Sequence, residues 1–376
     1  MSIHHQTWHY FIMVLLAITA AACDTSEKLY WPEKEWLSAS PESHGMDSLK
    51  LSPVIQEIKD GHFGYIRSLL VIKDGYIISE NYFNNTDTSS LQCMYSVTKS
   101  LLGAVWGIAE ENGDVPTVDT PIEQALPEYA SLIQTDPLKR QITIHDLLTM
   151  TIGMDWEEND LPDGAVTNGF FELMSSTDPI AYTLSKSIID TPGTVFNYNS
   201  GCSLLLSAIL SANCGKKFGE YVNEHLLSKI GIDSAYCEEL LKFSNAASGL
   251  FLTPRDMARF GLLIARKGEW NGNQIVPSDW MQQATAPQVR LDYSPLFTGY
   301  GYQLWNTTQW LSVGIRDSIT VHMALGWGGQ MIVAVPTYDL VVVITASQSR
   351  DEHEAMDPIF IIWQYILPAI RPSPTT

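Results

Sequence analysis

Apolar positions recur along this chain with two periods, and the two are unevenly distributed. From Ser68 to Tyr82 the chain reads Ser-Leu-Leu-Val-Ile-Lys-Asp-Gly-Tyr-Ile-Ile-Ser-Glu-Asn-Tyr, two β-rich runs around Asp74-Gly75. An Asp-Gly pair in that setting predicts a two-residue hairpin, because both central residues must take positive φ. Far downstream, residues 318–323, 330–335 and 339–347 are β-rich again, broken by Gly326, Gly328, Gly329 and Pro336. Between these ends, apolar residues fall at helical spacing over 100–112, 143–150, 200–212, 219–229 and 254–267. A last apolar stretch, 359–370, also reads as helix. Strands at both ends with helices between predict an α/β chain of the α+β type. Its antiparallel sheet is built from both chain ends and flanked by helices, and a helical lobe is inserted. The expected sheet lobe covers about 46–95 and 245–370 and the helical lobe about 96–244, with a small-molecule site in the cleft between them.

The amino-terminal pattern is different. Residues 1–22 hold no Asp, Glu, Lys or Arg, and Tyr10 to Ala22 form an apolar run ending in small residues. The run is too short for a permanent membrane span and fits the core of an export signal, although only His4, His5 and His9 stand where positive charge is usual. The acids and lysine of Asp24-Thr25-Ser26-Glu27-Lys28 argue against a buried helix. Ala20-Ala21-Ala22-Cys23 resembles a bacterial lipoprotein processing site with Ala where Leu is usual. That resemblance implies a lipid on Cys23 and a periplasmic or cell-envelope location; an ordinary signal cleaved nearby is the other reading. Residues 23–45, with Pro32 and Pro41, read as a tether into a body spanning 46–370.

Composition narrows the function classes. The chain has 376 residues, about two and a half times the ~150 of a typical domain. With 45% apolar and 17% charged residues, 11 Trp, 16 Tyr and 12 Phe, it is built to fold. Twenty-two basic against 42 acidic residues give a net charge of −20. That excludes the basic footprint a nucleic-acid binder needs and disfavours adsorption to anionic lipid, so a membrane enters only through an anchor at Cys23. Residues 141–185 lack Lys and Arg but hold eight acids, including Asp155, Glu157, Glu158, Asp160 and Asp163. They read as a solvated loop or as a cleft rim favouring cationic substrates. Cys93, Cys202, Cys214 and Cys237 permit three disulfide pairings or free thiols, and none has zinc-site spacing.

Three segments carry chemistry. Ser96-Val97-Thr98-Lys99 opens an apolar helical run, so the Lys99 amine can reach the Ser96 hydroxyl from the same face. A serine needs a base to become a nucleophile, and burial lowers a lysine pKa toward that task. At a helix start the Ser96 amide would face a developing oxyanion. Tyr198, on the Pro-Gly-bounded loop Asp190–Gly201, would relay a proton to the leaving group if Lys99 lowered its pKa. Ala324-Leu325-Gly326-Trp327-Gly328-Gly329-Gln330 leads into a strand, where glycines admit a ligand and a backbone amide can serve as second oxyanion donor. The bland alternatives are a capped helix start, a packed tyrosine and a plain turn. His322, just upstream, reads as a substrate or Tyr198 contact or as a structural histidine.

The order of the segments is more specific than any one of them. Ser96-Val-Thr-Lys99, Ile142–Gly153, Pro192–Tyr198, Ser248–Gly261 and Gly326-Trp-Gly-Gly-Gln330 together resemble the serine hydrolases of the class C β-lactamase, DD-peptidase and esterase superfamily. The resemblance covers about 45–370. It implies the sheet-plus-lobe fold, no metal or cofactor, and an acyl-enzyme on Ser96 with Lys99 and Tyr198 moving protons. Two departures matter. Ser200 stands where Tyr-x-Asn is usual, leaving Ser200, Trp327, Gly328 and Gly329 as the substrate-binding set. Trp327-Gly328-Gly329 stands where Lys-Thr-Gly is usual, which removes a charged partner for a substrate carboxylate. By that alignment the oxyanion donors are the amides of Ser96 and Gln330, the latter within one or two residues. The pattern resembles the esterase branch and hydrolases of aminohexanoate oligomers, so the expected substrate is a small ester, simple amide or peptide. A DD-carboxypeptidase, a class C-like β-lactamase, and an idle binding or sensor module on the same fold are the alternatives. For the amino terminus, mass spectrometry of the mature protein should find lipid-modified Cys23 as the first residue; an unmodified start elsewhere would overturn the lipoprotein assignment.

Overall fold

The computed structural model describes residues 29–32, 35–158, 169–292, 296–310, 318–347 and 356–371; the export segment and Cys23 lie outside them. Asp74 and Gly75 have φ of 55° and 86°, as a primed hairpin turn demands. They join β1 (Ile66–Lys73) to β2 (Tyr76–Tyr82). The other chain end supplies β3 (Val289–Arg290), β4 (Gly299–Tyr300), β5 (Trp305–Trp310), β6 (Ser318–Gly326), β7 (Gln330–Val335) and β8 (Leu340–Ala346). These eight strands form one antiparallel sheet in the order β3-β4-β5-β6-β7-β8-β1-β2. The seam between the two chain ends is β8 against β1, where Val71 faces Val342 and Leu70 faces Val343.

Both faces of the sheet are covered, which explains why β8 is buried at every position and apolar at all but Thr345, rather than apolar at alternate ones. Val341 and Val343 join one core with the helices α1 (Val97–Asn112), α2 (Ile144–Thr149), α3 (Ser200–Cys214), α4 (Pro254–Ala265) and α5 (Ser278–Thr285). Leu340, Val342 and Ile344 join a second core with the helical segments 48–59 and 359–369. The segment over 359–369 is not one α-helix: an α turn, a wider turn and a 3-10 turn follow one another. Pro368 has no N–H with which to continue the helical ladder.

The tether expected over 23–45 requires correction where it is described. Tyr30, Trp31 and Trp36 are packed on the body, Tyr30 stacking on Tyr76 with ring centroids 4.5 Å apart. Trp31 and Trp36 are 9% and 8% exposed. The Arg266 guanidinium lies 4.2 Å from the Trp31 ring centroid and donates to the Tyr30 carbonyl at 2.8 Å. Two indoles carry too much apolar surface to be left in water, and two prolines do not offset that.

The helix α1 is buried from Val97 to Ala109 and lies between the sheet and α3. Gly103 and Gly107, one turn apart, permit this. A Cβ on Gly103 would come within 2.4 Å of the Tyr302 carbonyl oxygen, and one on Gly107 within 2.2 Å of the Trp280 ring. The Trp280 indole donates to the Gly103 carbonyl at 2.9 Å, closing the contact. Alanine would gain ~1 kcal/mol of helix propensity at either site. Overpacking costs ~1–3 kcal/mol, and more against backbone that cannot move aside. Gly103→Ala should therefore lower the melting temperature; an unchanged or higher one would show that the Tyr302 strand end yields.

Candidate active site

The chain enters α1 through a sharp turn. Gln92–Cys93 pairs with Leu250–Leu252, the Met94 amide bonds the Leu250 carbonyl at 2.8 Å, and Tyr95 then takes a φ of +44°. A non-glycine residue in that region is held there by its surroundings at a cost of ~1 kcal/mol or more. The turn delivers Ser96 as the N-cap of α1, with helical dihedrals and a hydroxyl not spent on capping.

Lys99 follows one helical turn later and is 1% exposed. Its Nζ donates to Ser96 Oγ at 3.0 Å and to the Ala247 carbonyl at 2.8 Å. Burial pulls its pKa from 10.5 down to about 8, against the opposing pull of Glu158 and Cys202. About a tenth of the amine is then unprotonated at pH 7, so a hydrogen-bonded base for Ser96 exists near neutrality.

Tyr198 precedes α3, whose N-cap Asn199 accepts from the Gly201 amide at 2.7 Å. Its ring stacks on Trp305 at 5.7 Å, meets Tyr300 edge-on at 6.5 Å, and has Lys99 Nζ 5.3 Å from its centroid. The expected lowering of its pKa by Lys99 does not occur. Burial and then the Glu158 charge hold the phenol well above its ordinary value, while a hydrogen bond with Ser96 works the other way. Tyr198 is thus a neutral proton holder in contact with Ser96.

Glu158, read from sequence as one acid among many, belongs to this site. It accepts from the Ser200 amide at 2.6 Å, from the Ser200 hydroxyl, and from the Trp156 indole at 2.9 Å. The Asn197 side chain donates to the Trp156 carbonyl at 2.7 Å, so both flanks of Tyr198 are tied to 156–158. Ser200 is fully buried in this arrangement. Its expected place at the substrate is corrected: its hydroxyl is committed to Glu158. The one signal in the sequence was the serine itself, standing where an asparagine is usual. Asp155 and Glu157 are exposed, and Asp160 and Asp163 lie outside the described residues.

The third segment also differs from its expected register. Trp327, Gly328 and Gly329 form the turn between β6 and β7 rather than strand, with φ of 76° and 90° at the glycines. Trp327 is 53% exposed and meets Tyr95 edge-on at 5.3 Å. Gly326 is what lies against Ser96: a Cβ there would sit 2.4 Å from the Met94 oxygen and 3.3 Å from the Ser96 nitrogen. Gln330 lies across the hairpin from Gly326, is 2% exposed, and donates its carboxamide to the Ala346 carbonyl. The β5 ladder stops at the Trp305–Met323 pair, so Ala324–Gly326 has no strand on that side. His322 shares the face of Ala324 and Gly326 by strand alternation. It is 8% exposed, burial lowers its pKa to about 4, and its Nδ1 has no hydrogen-bond partner among the described residues. The four cysteines after Cys23 are all free thiols.

Comparison with known proteins agrees with this fold. The family model described as Beta-lactamase matches residues 67–362. The 6-aminohexanoate-dimer hydrolase of Paenarthrobacter ureafaciens is 24% identical over 291 residues, covering 74% of this chain and 72% of that protein. Among solved structures, a family VIII carboxylesterase superposes with a TM-score of 0.65 at 16% identity, over 89% of this chain and 98% of that one. A D-stereospecific amidohydrolase from Streptomyces sp. gives 0.64 at 15%, over 84% and 98%. At these identities the two structures show a common fold.

The state of Lys99 has a consequence for stability. Between about pH 8 and 10.5 an unfolded chain holds a proton that folded Lys99 has lost, so stability rises with pH across that window. Relative to Lys99→Met, the wild-type melting temperature should climb from pH 8 to pH 10. Parallel curves would mean that Lys99 is not buried as a weakened base.

Proposed function

The chain belongs to the β-lactamase family of serine hydrolases, and we propose that it cleaves a carboxylic ester or simple amide through an acyl-enzyme on Ser96. The observation that carries this is the 3.0 Å hydrogen bond between the buried, weakened base Lys99 and Ser96 Oγ. In the proposed reaction, unprotonated Lys99 accepts the Ser96 proton as Oγ attacks the carbonyl carbon. The oxyanion rests on the Ser96 amide and on an amide of the open stretch Ala324–Gly326, which replaces Gln330 in that role. Tyr198, neutral and hydrogen-bonded with Ser96, gives its proton to the departing oxygen or nitrogen and is reprotonated from Lys99. Water, deprotonated by the same pair, then attacks the acyl ester and frees Ser96.

Ester or simple amide is preferred over β-lactam because the third segment presents Trp327 where the resemblance places a lysine, and the buried His322 on β6 is neutral near pH 7. The relatives named as a carboxylesterase, an amidohydrolase and an aminohexanoate-dimer hydrolase support the same preference. Export and a lipid on Cys23 remain part of the proposal, on the strength of the amino-terminal pattern alone.

The purified protein should hydrolyse a short-chain p-nitrophenyl ester and be labelled by a fluorophosphonate at Ser96. Ser96→Ala should lower turnover by roughly 10³-fold or more. The rate should rise with pH through about 8, as Lys99 loses its proton. Efficient turnover of a chromogenic cephalosporin or a D-Ala-D-Ala peptide would overturn the esterase preference, and no turnover with no labelling would leave the binding-module alternative.

A further inference from the structure

A carboxylate partner missing from the third segment is present on the neighbouring part of the sheet. Ile66 pairs with Ala346 and Ser68 with Thr345, so β1 advances two residues while β8 advances one. Arg67 is the extra residue of this β-bulge. Bulges re-aim a side chain and are found beside active sites. Here the guanidinium lines a small cavity together with Gln92, Tyr95, Trp327, Gly328 and Ser347. Arg67 Nη1 donates to Gln92 Oε1 at 3.2 Å, and Gln92 is 4% exposed, so a buried amide orients the fork. Among the described residues no carboxylate pairs with Arg67, in a chain where acids outnumber bases 42 to 22. Glu238, which also acts on Tyr95, is engaged by the Asn245 side chain at 3.4 Å.

The cavity adjoins the reaction centre. Tyr95 immediately precedes Ser96, and the turn bearing Trp327 and Gly328 continues from Gly326, the residue against the Ser96 amide. Tyr95 and Trp327, packed edge-to-face, give it aromatic walls. A planar fork with unused donors, framed by aromatic rings, suits a carboxylate. We propose that this cavity is a substrate subsite in which Arg67 binds a carboxylate carried a few bonds from the scissile carbonyl. The substrate is then an acid-bearing ester or amide rather than a neutral one. This inference rests on the reading of Ser96 as the nucleophile.

Two matched ester pairs test it. The mono-p-nitrophenyl ester of adipic acid against p-nitrophenyl hexanoate places the charge on the acyl chain. The 4-carboxyphenyl ester of butyric acid against its phenyl ester places it on the leaving group. The acidic member of one pair should have the lower KM. Arg67→Met should raise that KM roughly tenfold or more, with kcat/KM for the neutral member within twofold of wild type. Arg67→Lys, which keeps the charge, should restore part of the preference and serves in its place if Arg67→Met melts early. Binding without turnover gives a second readout: Ser96→Ala titrated with the adipate monoester should lose affinity when Arg67→Met is added. If that dependence holds while the wild type hydrolyses nothing, the subsite stands and the hydrolase reading falls. Equal loss for acidic and neutral members, or no effect of Arg67 in either assay, overturns the subsite.

Discussion

Everything near the reaction centre follows from keeping one ammonium group dry. An amine as buried as Lys99 must be partly discharged or paired with opposite charge, and among the described residues two acceptors touch it, the Ser96 hydroxyl and the Ala247 carbonyl. Neither is a carboxylate. Glu158, whose charge acts on it, is directed at Ser200 and Trp156, so that charge softens the desolvation without cancelling it. That arrangement matters. A carboxylate in direct contact would return Lys99 to a fully protonated state and remove the base. The dryness costs stability, which the packing of α1 against sheet and α3 offsets.

The same environment treats acids and bases oppositely. Burial favours the neutral form of each group, lowering Lys99 and raising Tyr198. A base that is partly free at pH 7 then stands beside an acid that keeps its proton. That separation assigns the direction of proton flow before any substrate is considered. Had Lys99 lowered Tyr198 instead, two groups would have competed for one proton and the leaving group would have had no donor. The aromatic packing of Trp305 and Tyr300 on Tyr198 belongs to this device, since it excludes the water that would level the two pKa values.

What the sequence disclosed is what local chemistry determines. The Asp74-Gly75 turn, the Ser96–Lys99 spacing and the apolar β8 each follow from rules that act over a few residues. The sheet seam followed from strand-like runs at both ends with helices between. Glu158 is hidden in the sequence because Ser200, the partner that ties it to the site, lies about forty residues away, and an acid-rich run resembles solvated surface. Ser200 was misplaced for the same reason, its hydroxyl being claimed by a distant group. Trp327-Gly328-Gly329 aligns with a strand motif through the resemblance, yet its glycines fit both a strand beside a ligand and a turn. Only the pairing of Gly326 with Gln330 separates those readings. The packing of Trp31 and Trp36 was missed because prolines and charges were weighed above two tryptophans.

The sheet itself explains why the site is where it is. A strand inside a sheet has both backbone edges occupied and cannot offer an amide to a substrate. Here β6 keeps β7 opposite His322–Gly326 but loses β5 after Met323, so its last residues carry an edge with no strand on it among the described residues. Gly326 lets that edge lie against the Met94–Ser96 turn without a side chain between them. Ser96 and the open edge are therefore brought together by two truncations, a missing Cβ and a short neighbouring strand. The bulge at Arg67 works on the same boundary from the far side, turning a side chain of the seam strand toward the end of the hairpin. Two of the sheet's irregularities, the short β5 and the bulge at Arg67, thus flank the turn that carries Trp327.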